Sequence, residues 1–333
     1  MSSTGITPPH VRAFELLGGI FSTQVIAALA RYGIFEAISS GKKSLGIIAN
    51  ECGVNENVLS RSMRFAEYSG IVRRDEDHYS LTDVGMYFLK ETPGNLTGSL
   101  NFISAAPWRD SWSNFWHCLK TGEPAFDFVH GQAFFDYLDA HPEYGNPFHG
   151  YMTQMTSRVA PEIAAAYDFG AFETVCDVGG GQGILLKAIL DHYPDCKGIL
   201  YDMENAMANH VLGSLGDRVT FTAGSFFDDV PPADCMVLKT IIHDWNDENS
   251  MRILSNCSKS LKRGGRVILV EQVVEEPHSM MALFYDLHMQ VMLGGAERTE
   301  AEFRRILYAS GLRLVGILPT KSPMKIIEAT ALD

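Results

Sequence analysis

Thr174-Val175-Cys176-Asp177-Val178-Gly179-Gly180-Gly181-Gln182-Gly183 reads as a buried apolar strand that runs into a glycine-rich loop. Glycines between a strand and a helix let backbone amides approach a ligand closely, at a switch point of an α/β sheet. The dinucleotide fingerprint G-x-G-x-x-G fails here, because counting from Gly179 gives Gly181 and then Ile184. The G-x-G-x-G spacing suits an adenosyl ligand with a zwitterionic tail better than a pyrophosphate. Asp177, Gly179 and Gly181 are the candidate contacts.

Downstream, strand and helix signals alternate. Strands are predicted at 174–178, 197–202, 218–222, 235–242 and 266–274, with helices at 183–192, 205–215 and 247–261. Such alternation implies a parallel sheet covered on both faces. Residues 313–318 and 324–329 form two more strands, and their short link through Pro319 favours an antiparallel last pair. Asp202 ends the second of these strands, where an acidic side chain can accept hydrogen bonds from a ribose diol. Its other reading is a helix N-cap.

The most specific run is Leu238-Lys239-Thr240-Ile241-Ile242-His243-Asp244-Trp245-Asn246-Asp247-Glu248. It leaves a strand at the carboxyl end, where open α/β sheets place their chemistry. A phenol has a pKa of ~10, so little of it is nucleophilic at neutral pH, and an imidazole of ~6.5 can take its proton. Attack on a sulfonium methyl needs no metal, since the positive sulfur already activates the carbon. Carboxylates must orient that imidazole, and Glu271 and Glu297 are the candidates. Spacing alone leaves Glu297 equally readable as a surface charge ahead of a helix capped by Thr299.

Before the sheet, residues 10–38 read as apolar helices broken near Gly18-Gly19 and Gly33. Asn55 caps a helix over 56–69, and two short β pieces at 71–74 and 78–82 follow, the outline of a winged helix. The uncharged stretch Leu16–Ala30 faintly resembles a signal segment but is too short to span a bilayer, and is read as a buried helix. Residues 96–168 look helical and aromatic, divided by Pro107, Pro124, Pro142 and Pro147. Trp108, Phe115, Phe148, Met152 and Met155 are candidate walls for an acceptor, with Asp244 and His288 as polar contacts. The domains expected are 1–95, 96–168 and 169–333.

A net charge of −13 over 333 residues argues against nonspecific affinity for nucleic acid or anionic membranes. Arg61, Arg64, Arg73 and Arg74 could make a basic DNA-binding face, but Glu56, Glu67, Asp75, Glu76 and Asp77 share the region. Six cysteines without a Cys-x-x-Cys pair fit a reducing compartment and offer no zinc knuckle. A cytoplasmic location is expected.

Leu81-Thr82-Asp83-Val84-Gly85, Thr121–Phe126, Asp177–Gly183, Leu238–Glu248 and Glu297-Arg298-Thr299 together resemble the plant caffeate and flavonoid type O-methyltransferases, with their hydroxyindole and microbial natural-product relatives. The resemblance covers essentially the whole chain. It implies a Rossmann-like methyltransferase fold of seven strands, mostly parallel with the last antiparallel, and a winged-helix domain that makes a homodimer rather than reading DNA. It implies S-adenosylmethionine as methyl donor, no metal, and a small hydroxylated aromatic substrate. It makes His243 the general base flanked by Glu271 and Glu297, and adds Lys239 and the residues after Gly224 to the cofactor contacts. There the chain departs from many relatives: Ser225 stands where they carry aspartate, so adenine recognition is expected to lean on stacking with Phe226. The same fold with N-methylation, hydroxylation or pericyclic chemistry is the alternative.

Overall fold

The computed structural model describes residues 8–41 and 43–332; the first seven residues of the expected N-terminal domain, Lys42 and Asp333 lie outside the described residues. Two compact units meet in sequence at Arg109/Asp110.

In the N-terminal unit, helices Pro9–Leu17, Gly19–Arg31 and Ile34–Ser39 precede Leu45–Cys52 and Glu56–Tyr68. The Asn55 side chain accepts from the Val58 amide at 3.0 Å, which satisfies an otherwise unpaired donor of the last of these. The wing is a three-stranded sheet of β1 (Lys43–Ser44), β2 (Val72–Asp75) and β3 (His78–Leu81) in the order β1-β3-β2. Ile34, Phe35, Ile48, Met63 and Ala66 close its core. The expectation that 16–30 is buried does not hold within the chain: Leu16, Leu17, Ile20 and Phe21 are all more than half exposed. Among the described residues no single helix is long and apolar enough to cross a membrane; the first two helices would qualify only as a pair bent by 49°.

The C-terminal unit is built on seven strands: β4 (Thr174–Val178), β5 (Lys197–Asp202), β6 (Val219–Ala223), β7 (Ala233–Lys239), β8 (Leu261–Glu271), β9 (Leu312–Pro319) and β10 (Lys325–Ala331). Their order is β6-β5-β4-β7-β8-β10-β9; β4 to β8 run parallel, and β10 is antiparallel to both its neighbours. Side chains alternate across the sheet. Cys176, Met236, Leu238, Val267 and Leu269 pack on one face and Val175, Cys235, Val237, Ile268 and Val270 on the other, all without solvent exposure. At about 1.5–3 kcal/mol for each fully buried aliphatic, both faces contribute to holding the sheet flat against its helices.

This topology positions the site. The chain winds outward from β4 to β6, then returns to the other side of β4 as β7, so the switch point lies between the carboxyl ends of β4 and β7. The glycine loop follows the first and the His243 run the second.

Three boundaries differ from the sequence reading. No single helix covers 205–215: Glu204–Met207 and a 3-10 turn at Gly213–Arg218 replace it, because Gly213 and Gly216 favour turns and Gly216 takes φ 54°. The strand expected to reach residue 242 stops at Lys239, and Thr240 turns out at φ 51°, a left-handed conformation that a β-branched residue adopts only under constraint. Pro147 does not divide the aromatic region, since it and Pro161 lie inside the helix Pro142–Ala166. Burial of Ala160, Ile163 and Ala164 outweighs the local cost of proline.

Candidate active site

Gly179, Gly181 and Gly183 all adopt positive φ (71°, 55° and 75°), the region where a side chain is strained, which explains the glycine spacing. A Cβ on Gly179 would collide with Ile241 and approach Phe226, so the glycine loop packs directly against the run that carries His243. Around Gly181 nothing would obstruct a Cβ, and the backbone there faces open space. Its amide donates to Asp202 Oδ2 at 2.7 Å, while Asp202 Oδ1 accepts from the Met203 amide, also at 2.7 Å. Asp202 therefore shapes the loop, and its carboxylate retains lone pairs for a diol. Asp177 is buried at the end of β4, and its Oδ2 has no hydrogen-bond partner. Burial raises its carboxyl to about 7. Ser225 Oγ accepts from the Phe227 amide at 3.3 Å, and the Phe226 ring lies edge-on to Phe227 and Trp245. Lys239 donates to Thr240 Oγ1 at 3.1 Å; burial lowers its ammonium, opposed by the charges of Glu271 and Asp177.

His243 is buried in a one-turn 3-10 segment, Ile242–Asp244. Its Nδ1 pairs with Glu297 Oε1 at 2.8 Å and lies 3.8 Å from Glu271 Oε2; its Nε2 lies 3.3 Å from Asp244 Oδ1. The two glutamates thus behave differently. Glu297 makes the hydrogen bond to the ring. Glu271 spends Oε1 on the amides of Ile241 and Ile242, at 3.1 and 2.9 Å, and so anchors the loop that carries the histidine. The remaining oxygens, Glu271 Oε2 and Glu297 Oε2, are buried without a hydrogen-bond partner. Burial alone would lower the imidazole, but Glu271, Asp244 and Glu297 outweigh it and lift it to about 10. Burial also raises Glu271 to about 7 and Asp244 to about 6. His243, Glu271 and Glu297 lie close enough to ligate one cation, although the Nδ1–Glu297 hydrogen bond already accounts for their approach.

The acceptor-wall candidates divide. Phe115 stacks beside Trp112, at 6.0 Å between ring centroids, and Trp112 Nε1 donates to His288 Nδ1 at 3.1 Å. Burial, then the charge of His243, lowers His288 to about 4, so its ring is neutral with hydrogen on Nε2. Phe148, Met152 and Met155 are half-buried on the helix Pro142–Ala166, whose Thr153 donates to Gln182 of the glycine loop at 3.0 Å. Trp108 instead belongs to the N-terminal unit, buried 4.1 Å from the Phe102 ring. Sequence reasoning missed Trp112 as a partner of His288, and it missed Gly295, where a Cβ would collide with the His243 carbonyl. The paired glycines 294–295 were the only available signal. It also left Arg298 without a role.

The donor set fits S-adenosylmethionine. Two acidic side chains border an open glycine backbone, one with an unpartnered buried oxygen suited to an ammonium group, and no arginine or lysine stands in the loop for a pyrophosphate.

The sequence profile of the O-methyltransferase domain matches residues 112–313, and that of the O-methyltransferase dimerisation domain matches residues 14–91. The chain is 33% identical to the phenazine O-methyltransferase of Lysobacter antibioticus over 98% of its own length and 97% of that protein. Its structure is similar to that of a mitomycin 7-O-methyltransferase, with a TM-score of 0.90, 28% identity and coverage of 97% and 98%. It is also similar to an O-methyltransferase from neocarzinostatin biosynthesis solved with S-adenosylmethionine and 2-hydroxy-5-methyl naphthoic acid, with a TM-score of 0.84, 28% identity and coverage of 99% and 100%. With both domain profiles in place and the match running end to end, the chain belongs to the O-methyltransferase family.

Proposed function

We propose that this protein transfers a methyl group from S-adenosylmethionine to a hydroxyl of a small aromatic secondary metabolite, with His243 as general base. The observation that carries the mechanism is the buried 2.8 Å pairing of His243 Nδ1 with Glu297, at the switch point beside the glycine loop. With Nδ1–H given to Glu297, Nε2 presents its lone pair as the acceptor for a hydroxyl proton. Against its burial, Glu271, Asp244 and Glu297 lift the imidazole to about 10, level with a phenol of ~10, so the ring accepts the proton in its neutral form, and the rate should rise with pH as that form grows. Asp244, beside the same nitrogen, stabilises the imidazolium that results.

When bound, the cofactor supplies a methyl carbon on a positively charged sulfur, already activated for displacement. Gly179 and Gly181 present backbone, Asp177 faces the amino-acid end, Asp202 takes the ribose, and Ser225, Phe226 and Lys239 complete the adenosine side. Phe115, Phe148, Met152 and Met155 form the flat apolar wall, an adaptable surface for a ring, and neutral His288 offers a donor to a ring substituent. Residues 96–168 act as a helical linker and substrate-binding cover in a three-part organisation with 1–95 and 169–333. The exposed apolar face of the first two helices pairs two chains as a homodimer, and the protein works in the cytoplasm.

Incubation with methyl-labelled S-adenosylmethionine and a panel of phenols, followed by product mass, tests the reaction. Gain of one methyl on oxygen supports it; methylation only of amines would move the assignment to nitrogen. For the cofactor site, Asp202→Ala is expected to weaken S-adenosylmethionine binding about 10- to 100-fold by calorimetry, the value of a charge-assisted pair. Unchanged affinity would remove Asp202 from the site.

A further inference from the structure

Arg298 is 2% exposed, and a buried guanidinium is costly unless every donor is used. Here the fork is fully engaged. Nη1 donates to the carbonyls of Ile242 and Ala296 at 2.9 and 3.3 Å. Nη2 donates to the Trp245 carbonyl at 2.8 Å and to Ser250 Oγ at 3.2 Å. Nε and Nη2 share Asp247 Oδ1 at 3.0 Å. Ile242 opens and Trp245 follows the single turn that presents His243, and a turn this short has no helical ladder to hold it. The backbone of the same residue reaches the third piece of the site: the Val274 amide donates to the Arg298 carbonyl at 3.0 Å, just beyond the strand ending at Glu271. The Ala296 amide meets the His243 carbonyl at 3.0 Å. One residue therefore ties together the segments carrying His243, Glu297 and Glu271.

We propose that Arg298 is a positioning residue for the general base: its guanidinium clamps the 242–245 turn to the 296–298 segment and so fixes the His243–Glu297 hydrogen bond. The inference rests on the reading of His243 as base. A lysine would keep the charge, but one ammonium could not also reach the Trp245 carbonyl and Asp247, which the guanidinium meets through its other two nitrogens.

The test pairs nuclear magnetic resonance with kinetics on 15N-histidine-labelled protein. The far-downfield Nδ1–H signal of His243 is assigned by its absence in His243→Asn. Arg298→Met is expected to shift or lose that signal in a folded protein and to lower kcat about 100-fold, the scale of an ångström-level misplacement, with KM within about threefold. Arg298→Lys should fail to rescue, losing about 10-fold in kcat with a displaced signal. Arg305→Met, which removes only the exposed partner of Asp247, should leave both readouts unchanged. If Arg298→Met does not fold, the lysine variant decides. A wild-type signal and kcat in a folded Arg298 variant would overturn the proposal. Should the wild type methylate no acceptor, the resonance alone still decides whether Arg298 sets the imidazole.

Discussion

His243→Ala is expected to lower kcat on a phenolic acceptor by about 10²- to 10⁴-fold, the range of general-base catalysis. S-adenosylmethionine affinity should stay within a few-fold of wild type, because the polar partners of the ring are Glu297, Asp244 and Glu271 rather than the glycine loop proposed to hold the donor. That split separates loss of chemistry from loss of the site. Methylation at full rate by the alanine variant would remove His243 from the mechanism. The same residue governs stability against pH. Its folded value of about 10 lies above the unfolded ~6.5, so its stabilisation is complete below ~6.5 and is lost as pH rises through about 10. Glu271, raised from the usual carboxylate range to about 7, acts in the same sense at lower pH, its contribution fading between about 4.5 and 7, so the fall above pH 7 belongs to His243. The wild-type melting temperature should therefore fall between pH 7 and pH 10, and His243→Gln should flatten the fall above pH 8. An unchanged slope in that variant would contradict the assignment of the proton to this cluster.

Glu297→Gln is expected to cost up to about 10⁴-fold in kcat, as when a carboxylate that orients a catalytic imidazole becomes an amide. The amide can turn its NH2 toward Nδ1 and force the hydrogen onto Nε2, leaving no lone pair for the acceptor proton. Glu271→Gln should cost less, since the amide oxygen can still accept from Ile241 and Ile242. Its main effect should be a lower melting temperature. Equal kinetic losses in the two variants would mean that both carboxylates act on the ring, against the 2.8 versus 3.8 Å separations. Single-turnover rates with saturating donor distinguish these outcomes.

The parallel sheet, the glycine loop and the histidine motif were legible because each is a local signal: apolar strand runs alternating with helices, glycines clustered after a strand, and a strand that ends in a polar run. The proline reading failed at Pro147 for the opposite reason, since the helix around it is held by what Ala160, Ile163 and Ala164 pack against. The aromatic region gave candidates without partners, and only the fold separated Trp108, enclosed beside Phe102, from Trp112, bonded to His288.

Chain order and residue chemistry thus dictated which elements form, where backbone must lie bare and which imidazole stands at the end of β7. They could not divide labour among the carboxylates. Glu297 reaches His243 across 54 residues and Glu271 reaches Ile241 across 30. Arg298 bridges segments that converge only after the sheet has closed. Hydrogen bonds act within about 3 Å, and no pattern along a chain encodes separations that small between strands far apart in sequence; packing sets them.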